Sequence, residues 1–298
     1  MQYTNIIKPN KYKSLNQKEK PVIIFTHIEK TAGTTLHSII NHNYNQEQIF
    51  TILHRESFSQ TIESIKSQLS EKKIKIIKGH IAFGLHDYLD QEASYITMLR
   101  NPIKRVISAY YFRQNVPENT SMTLQEFCLT RGSNHMTTWL SGLDILYQIK
   151  LGHRELKKAK EVHSFLLTDY YNQESLKLLD KAKANLRDYF QVIGITEKFD
   201  ESLLLFKHFL GWQNIYYYRQ RVANNKPPDS TFSPEVIKFI RDHNQLDIKL
   251  YEYALELFEK QIIQYGINFQ ADLKKFKNFN SFMGIIYQTK DKIKQVFK

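Results

Sequence analysis

The stretch from Pro21 to Ser38 constrains the fold of this 298-residue chain more than any other. Val22–Phe25 is an apolar run with the length of a buried parallel strand, and apolar residues return at helical spacing from Leu36. Between them lies the segment Lys30-Thr31-Ala32-Gly33-Thr34-Thr35. Backbone N–H groups and the positive end of a helix dipole can converge on an anion at such a junction. The stretch therefore predicts a phosphate cradle to which Lys30 adds a full charge.

The cradle does not follow the Walker A pattern of nucleotide kinases. That pattern has a glycine directly before the lysine and another five residues earlier, where this chain has Glu29 and Ile24. A nucleotide kinase or other phosphoryl transferase of the same fold remains an alternative. The order of the residues around Lys30 argues against it. A plain strand-to-helix turn with a surface lysine is the structural alternative.

A second anion-binding pattern follows another strand candidate, Tyr95–Leu99. Arg100 stands at the predicted strand end, and Asn101 and Pro102 suit the cap and the first turn of a helix. Ser108 lies two turns into that helix. Arg100 and Ser108 can therefore face one phosphate group.

Together the two stretches resemble the sulfotransferases that use 3′-phosphoadenosine 5′-phosphosulfate (PAPS). The loop from Lys30 to Thr35 resembles their 5′-phosphosulfate loop, and Arg100 and Ser108 resemble their 3′-phosphate motif. The carbohydrate branch, with heparan sulfate 2-O-sulfotransferase and bacterial relatives, is the most similar over residues 21–268. The resemblance implies PAPS as sulfate donor, 3′-phosphoadenosine 5′-phosphate (PAP) as product, and a hydroxyl acceptor on a carbohydrate.

Two histidines compete for the role of general base. Histidine suits this role because its ordinary pKa of ~6.5 leaves it neutral yet basic near pH 7. His80 follows a strand candidate and matches the Gly-His-Val histidine of the 2-O branch, whereas His86 matches the Gly-Leu-His of the 6-O branch. The spacing of His80 from the Arg-Asn-Pro motif favours His80, and a loop-ordering role for it is the structural alternative. Lys30 is expected at the leaving phosphate, and His27 in a structural role at the strand exit.

A basic loop near residue 220 resembles the family segment that closes over the nucleotide. Arg221 and Lys226 are its candidate ligands, although the family more often has asparagine at the place of Arg221. A solvated basic loop is the alternative for Arg219. Tyr110, Tyr111, Phe112 and Trp139 are either core residues or the lining of a sugar cleft.

Alternation of strand and helix patterns predicts an α/β fold, a P-loop-like three-layer domain with a central, mostly parallel sheet flanked by helices. Ligands bind such sheets at the carboxyl ends of the strands, where both motifs fall. The expected organisation is a flexible arm over residues 1–20, a sulfotransferase domain over 21–268 and a basic amphipathic tail over 269–298.

The charge of +12 suits an anionic partner but does not select one. A basic protein that binds nucleic acid or another polyanion would explain the charge but not two phosphate motifs at strand ends, so nucleic acid is not expected. His, Asp and Glu show no ligand spacing, and a metal is not implied. Cys128 lies in an apolar pattern and is predicted to be a small buried residue.

The polar, lysine-rich first 20 residues do not resemble a signal peptide or the anchor of Golgi relatives, which predicts a cytoplasmic bacterial enzyme. The segment from Ala271 to Lys298 has seven lysines against two aspartates, with apolar residues near one helical face that Gly284 interrupts. Such a tail can lie on an anionic membrane at the inner face. Packing on the domain with a solvated lysine face is the favoured alternative.

Overall fold

The computed structural model describes residues 20–52, 58–71, 73–114, 122–129, 133–143, 173–218 and 232–296. Its centre is one five-stranded sheet in which every described strand pair is parallel. The strands are β1 Val22–Thr26, β2 Ile49–Thr51, β3 Ile76–Gly79, β4 Ala93–Leu99 and β5 Phe190–Ile195, in the spatial order β2-β3-β1-β4-β5. All seven residues of β4 are buried, as expected for a parallel strand covered on both faces. The predicted α/β, P-loop-like architecture is confirmed.

Ten α-helices occur in the described part of the chain. They are α1 Gly33–Asn43, α2 Phe58–Ser70, α3 Pro102–Gln114, α4 Leu124–Phe127, α5 His135–Ser141, α6 Gln173–Tyr189, α7 Phe199–Leu210, α8 Pro234–Asp242, α9 Gln245–Tyr265 and α10 Phe269–Val296. The region after Ser233 thus contains two helices before α10. The order Ser233-Pro234 is typical of a helix start, and the Ser233 hydroxyl accepts from the N–H of Val236 as the cap of α8.

Some expected elements differ or lie elsewhere. The residue pattern at Thr51–His54 predicts a short strand, but the strand β2 lies earlier, because Ile49–Thr51 is the segment that pairs with β3. The residue pattern also predicts a charged helix at Glu155–Glu161 and a strand at Phe165–Leu167, and both segments lie outside the described residues. So do residues 1–19 of the arm expected over residues 1–20.

Two buried polar residues cap each other's helices across the domain. The carboxylate of Asp247, in α9, accepts from the N–H of Met136 at 3.0 Å and from the N–H and hydroxyl of Thr137 at 2.7 and 2.8 Å, all in α5. The side-chain oxygen of Asn134 accepts in return from the N–H groups of Leu246 and Asp247 at 3.0 and 3.2 Å. Buried Arg105 of α3 lies 4.0 Å from the carboxylate, so three helices meet at this network.

The C-terminal helix α10 packs on the domain. Phe269, Leu273 and Phe276 are buried in the main core. Gly284 does not interrupt the helix but allows its close approach to the segment before residue 219, because an added Cβ would lie 2.9 Å from the carbonyl oxygen of Tyr217. Within the described ranges, the helices are either too short or too polar to cross a membrane.

Candidate active site

Three neighbouring strands end at the edge of the sheet that carries the sequence motifs. The central strand β1 leads into the loop from His27 to Ala32, and β3 and β4, which pair with β1 on either side, lead into His80 and Arg100. Because all three strands are parallel, their carboxyl ends meet at one edge. The fold therefore brings Lys30, His80 and Arg100 to the same rim.

The loop after β1 has the conformation of an anion cradle. Lys30 and Ala32 have φ angles of 68° and 66°, in the left-handed region that costs a non-glycine residue roughly 1–2 kcal/mol. Such alternation makes successive N–H groups converge on a concave site for an anion. Ala32 caps α1 without a side-chain acceptor, and the first turn of α1 contains no acidic residue. The N–H groups at this helix end are thus suited to a phosphate ligand.

Direct contacts join the loop to the β4–α3 motif. Arg100 donates from Nη1 to the carbonyl oxygen of Lys30 at 3.0 Å, and Arg113 forms a 3.0 Å ion pair with Glu29. The ammonium of Lys30 lies 4.0 Å from the ring centroid of Phe112. The two phosphate motifs recognised in the sequence therefore form one connected surface.

Ser108 lies on the face of α3 that is directed towards the loop. Asn101 caps α3 as predicted, because its side-chain oxygen accepts from the N–H of Lys104 at 3.2 Å. Residues four apart share a helix face, and Phe112, which contacts Lys30, follows Ser108 by four. Ser108 and Arg100 are both half-buried, which leaves part of each side chain accessible to a ligand.

His80 is held by His27 in two ways. Its Nδ1 lies 3.2 Å from the main-chain oxygen of His27, and the two rings stack at 4.1 Å between centroids. A carbonyl oxygen can only accept, so the proton of neutral His80 is assigned to Nδ1 and the lone pair to Nε2. This is the tautomer that a general base at Nε2 requires.

Two further histidines lie beneath His80. The ring nitrogens His27 Nδ1 and His37 Nε2 are 3.1 Å apart. Burial, aided by the nearby His80, lowers the pKa of His27 to about 2, and burial, aided by Lys78, lowers the pKa of His37 to about 3. Both rings are therefore neutral near pH 7. Sequence reasoning gave no function to His37 or Lys78, because they approach the site only through the packing of α1 against the sheet.

His86 has a different environment. Its Nδ1 lies 2.9 Å from the hydroxyl of Tyr95, which also accepts from the N–H of His86 at 3.0 Å. The ring packs against Phe83 and Tyr189. Tyr95 precedes the end of β4 by four residues, about 13 Å at ~3.3 Å per residue. His86 thus contacts the middle of the sheet, whereas His80 follows the carboxyl end of a strand.

The remaining candidates divide into core residues and residues outside the described ranges. Trp139 is buried in the main core, and half-buried Tyr110 packs against Phe127. Phe112 is 49% exposed. Cys128 is buried as predicted, and burial raises the pKa of its thiol. Arg219, Arg221 and Lys226 lie outside the described residues.

A surface pocket lies along α1, beside the phosphate loop. Its lining residues are Thr35, Ser38, His42, Tyr216, Tyr217, Tyr218 and Tyr287. Thr35 lies in the first turn of α1 and ends the Lys30–Thr35 segment, so the pocket adjoins the cradle. Tyr218 directly precedes the basic segment that contains Arg221. Within the described ranges, no three metal-ligating side chains lie close enough together to hold a metal ion.

A parallel sheet with an anion-fitting loop after its central strand defines a P-loop-like α/β protein. The sequence profile of the galactose-3-O-sulfotransferase family matches residues 6–283. Heparan sulfate 2-O-sulfotransferase 1 from Homo sapiens is 22% identical in an alignment of 285 residues that covers 84% of this chain and 74% of that protein. The Gallus gallus protein of the same name gives the same identity and coverage. Uronyl 2-sulfotransferase from Homo sapiens is 21% identical over 234 residues, 70% of this chain and 54% of that protein.

The chain belongs to the galactose-3-O-sulfotransferase family, because the family profile spans nearly all of it. It is therefore a sulfotransferase of a carbohydrate-modifying family, which confirms the resemblance drawn from the two phosphate motifs.

Proposed function

We propose that this chain transfers the sulfuryl group of PAPS to a hydroxyl group of a carbohydrate, with His80 as general base. The observation that carries the proposal is the meeting of Lys30, Arg100 and His80 at the ends of three neighbouring strands. Each contacts the main chain or an aromatic ring, and each is half-buried. This arrangement suits groups that must contact a ligand.

The residues present fit a donor with a phosphosulfate at one end and a 3′-phosphate at the other. The loop Lys30–Thr35, with its left-handed residues and uncapped helix end, would hold the phosphosulfate. Arg100 and Ser108 would hold the 3′-phosphate through charged hydrogen bonds. The pocket beside Thr35 adjoins this loop, and Arg221 and Lys226 would close over the bound nucleotide.

The mechanism requires a base, a group at the leaving oxygen and in-line placement of the reactants. PAPS, when bound, supplies an activated sulfuryl group. His80 takes the acceptor hydroxyl proton at Nε2 as the new S–O bond forms. Lys30 donates to the phosphate oxygen that is released as the old S–O bond breaks, offsetting its growing charge. The cradle keeps the reacting groups in line, which lowers the entropic cost of their encounter.

The proposed acceptor is a glycan that contains uronic acid. Two relatives are named for 2-O-sulfation of heparan sulfate and for 2-sulfation of a uronyl group, while the family carries a galactose 3-O name. A panel of heparosan, chondroitin, desulfated dermatan and galactose-terminated oligosaccharides with labelled donor would separate these classes. Transfer to galactose alone would replace the uronic acid proposal but keep the sulfotransferase reaction.

Isothermal titration with PAP, ATP and an oligonucleotide tests the class of function. Tight binding of PAP and weak binding of ATP are expected, because Arg100 and Ser108 have a 3′-phosphate to contact only in PAP. Preference for ATP would support a phosphoryl transferase, and preference for the oligonucleotide a polyanion-binding protein. Either result would overturn the proposal.

Replacement of Lys30 by alanine tests the catalytic assignment within the cradle. We expect turnover to fall about 10²–10³-fold, by analogy with the loss of a single oxyanion donor. Thermal unfolding should change little because Lys30 is only half-buried. Lys104→Ala, on the exposed side of α3, is the matched control. A Lys30→Ala enzyme with more than half the wild-type rate would contradict this role.

We further propose a cytoplasmic enzyme that contacts an anionic membrane through the outer face of α10. Phe282 and Ile285 are 60% and 65% exposed, and exposed Lys274 and Lys275 lie on the same helix. Sedimentation with phosphatidylglycerol vesicles should capture the wild type at low salt but not Phe282→Ser/Ile285→Ser. Equal recovery of both proteins in the supernatant would show that this face is only solvated.

A further inference from the structure

We propose that His27 is a positioning residue whose ring, wedged between Gly33 of the phosphate loop and the ring of His80, fixes the base relative to the donor. The inference rests on the proposed function, in which His80 is the base. It adds a residue that touches neither reacting group and acts through His80.

On one side, His27 determines both the plane and the direction of the His80 ring. The rings stack at 4.1 Å between centroids with an interplanar angle of 26°. The carbonyl oxygen of the same residue accepts from Nδ1 at 3.2 Å. The stacking fixes the plane of the His80 ring, and the hydrogen bond fixes the position of Nδ1 within that plane. The direction of Nε2 is thereby fixed as well, so His27 determines it.

On the other side, His27 explains why position 33 is glycine. A Cβ added at Gly33 would overlap the imidazole of His27 around Nε2. Gly33 is the first residue of α1 and is not among the glycines with a positive φ angle. Its backbone could therefore accommodate another residue, and the space is required by the His27 ring. The ring thus contacts the phosphate loop and the base at the same time.

The remaining contacts hold the His27 ring in place and keep it neutral. Its Nδ1 shares a hydrogen bond with His37 at 3.1 Å, and it stacks on Phe25 at 5.5 Å between centroids. The charged or titratable groups around it are His37, His80, Glu29 and Lys30, with Lys78 acting on His37. Burial lowers the pKa of His27 to about 2, so the ring does not repel the positive charge that His80 acquires during transfer.

A pair of substitutions of similar volume separates positioning from packing. His27→Phe keeps a flat neutral ring beneath His80, whereas His27→Leu fills the cavity without a stacking face. We expect kcat to fall about 10²-fold in His27→Leu, the cost of small misplacement of a catalytic group, and by no more than about threefold in His27→Phe. PAP affinity and the acceptor KM should stay within about twofold in both, because donor and acceptor contacts are intact.

A double-mutant cycle with Gly33 tests the loop side. Gly33→Ala should abolish PAP binding, because the added methyl group displaces either the loop or the ring. Gly33→Ala/His27→Ala should regain PAP binding, since the ring is gone, but should not regain transfer. Restoration of both would overturn the proposal.

Equal kcat in His27→Leu, His27→Phe and the wild type would also overturn the positioning role, while leaving the proposed sulfotransferase reaction in place. Absence of PAP binding by the wild type would instead overturn the proposed function, and this inference with it. Thermal unfolding of each variant shows that the compared enzymes are folded.

Discussion

The phosphate rim, formed by Lys30, His80 and Arg100, and the Asn134–Asp247 network both bury polar side chains. They do so in different ways. In the network, Asp247 accepts three hydrogen bonds and lies beside Arg105, and Asn134 accepts two main-chain bonds in return. At the rim, His80, Lys30 and Arg100 are half-buried and contact main-chain carbonyl oxygens or ring faces. Fully buried polar groups that bond to the main chain of a neighbouring helix indicate a structural role, whereas half-buried groups at the carboxyl ends of the strands can contact a ligand.

The two regions also differ in backbone strain. The loop before α1 keeps two non-glycine residues, Lys30 and Ala32, in the left-handed region. Such strain persists only where surrounding contacts enforce it, and it is concentrated at functional sites. In the network the single left-handed residue, Asn134, is of a type that tolerates this conformation and uses it to cap α9. The comparison predicts that substitutions at the rim affect turnover and that substitutions in the network affect stability.

The largest effect is expected for His80→Ala. Removal of a general base typically lowers turnover about 10²–10⁴-fold, while donor binding should be unchanged because the base acts on the acceptor. Turnover with labelled donor and PAP titration measure the two quantities. His86→Ala is the matched variant, and we expect it to lower stability through loss of its contact with Tyr95 rather than to abolish transfer. The reverse pattern would assign the base to His86.

Asp247→Ala should have the strongest effect on the network. It leaves Arg105 buried without its carboxylate and removes the cap of α5, and breaking such a pair costs about 3–5 kcal/mol. Urea unfolding measures the loss, and the protein that remains folded should transfer sulfate at close to the wild-type rate. Asp242→Ala is the control, because its ion pair with Lys238 is exposed and its loss should cost at most about 0.5 kcal/mol. A fully stable, inactive Asp247→Ala protein would contradict the comparison.

Acid should destabilise the rim through His27 and His37. Their folded pKa values of about 2 and about 3 lie below the ordinary 6.5, so below pH 6.5 the unfolded chain binds more protons than the folded one. Stability is thus lost as the pH falls, by about 1.4 kcal/mol for each ring between pH 7.5 and 5.5. Unfolding curves at both pH values should show this loss, and His37→Gln should halve it. An unchanged loss in His37→Gln would show that other groups cause the acid sensitivity.

The smallest effect is expected for Arg100→Ala, measured as discrimination between two donors. Binding of PAPS should weaken about 10- to 150-fold, equivalent to roughly 1.5–3 kcal/mol for a charged hydrogen bond. Binding of adenosine 5′-phosphosulfate, which lacks the 3′-phosphate, should change far less. Arg113→Ala, which removes the ion pair with Glu29, is the control and should affect both ligands equally. Equal losses for both ligands in Arg100→Ala would show that Arg100 does not contact the 3′-phosphate.

Local sequence patterns were sufficient to predict the elements that carry the motifs. The apolar run before Lys30, the small residues around Gly33 and the Asn101 and Ser233 caps act over a few residues, so spacing alone predicts them. The α/β class followed from the same periodicities. The position of β2 could not be predicted from these periodicities. A three-residue strand is selected by its pairing with β3 rather than by its own composition.

The sequence by itself determined the fold class, the two phosphate motifs and their order along the chain. Only the tertiary structure decided that His80 stacks on His27, that His37 lies behind it, and that His86 faces Tyr95 in the middle of the sheet. It likewise decided that Asn134 and Asp247, 113 residues apart, cap each other's helices. The reason is physical: such contacts depend on which strands are neighbours, and the order β2-β3-β1-β4-β5 is set by packing over the whole domain.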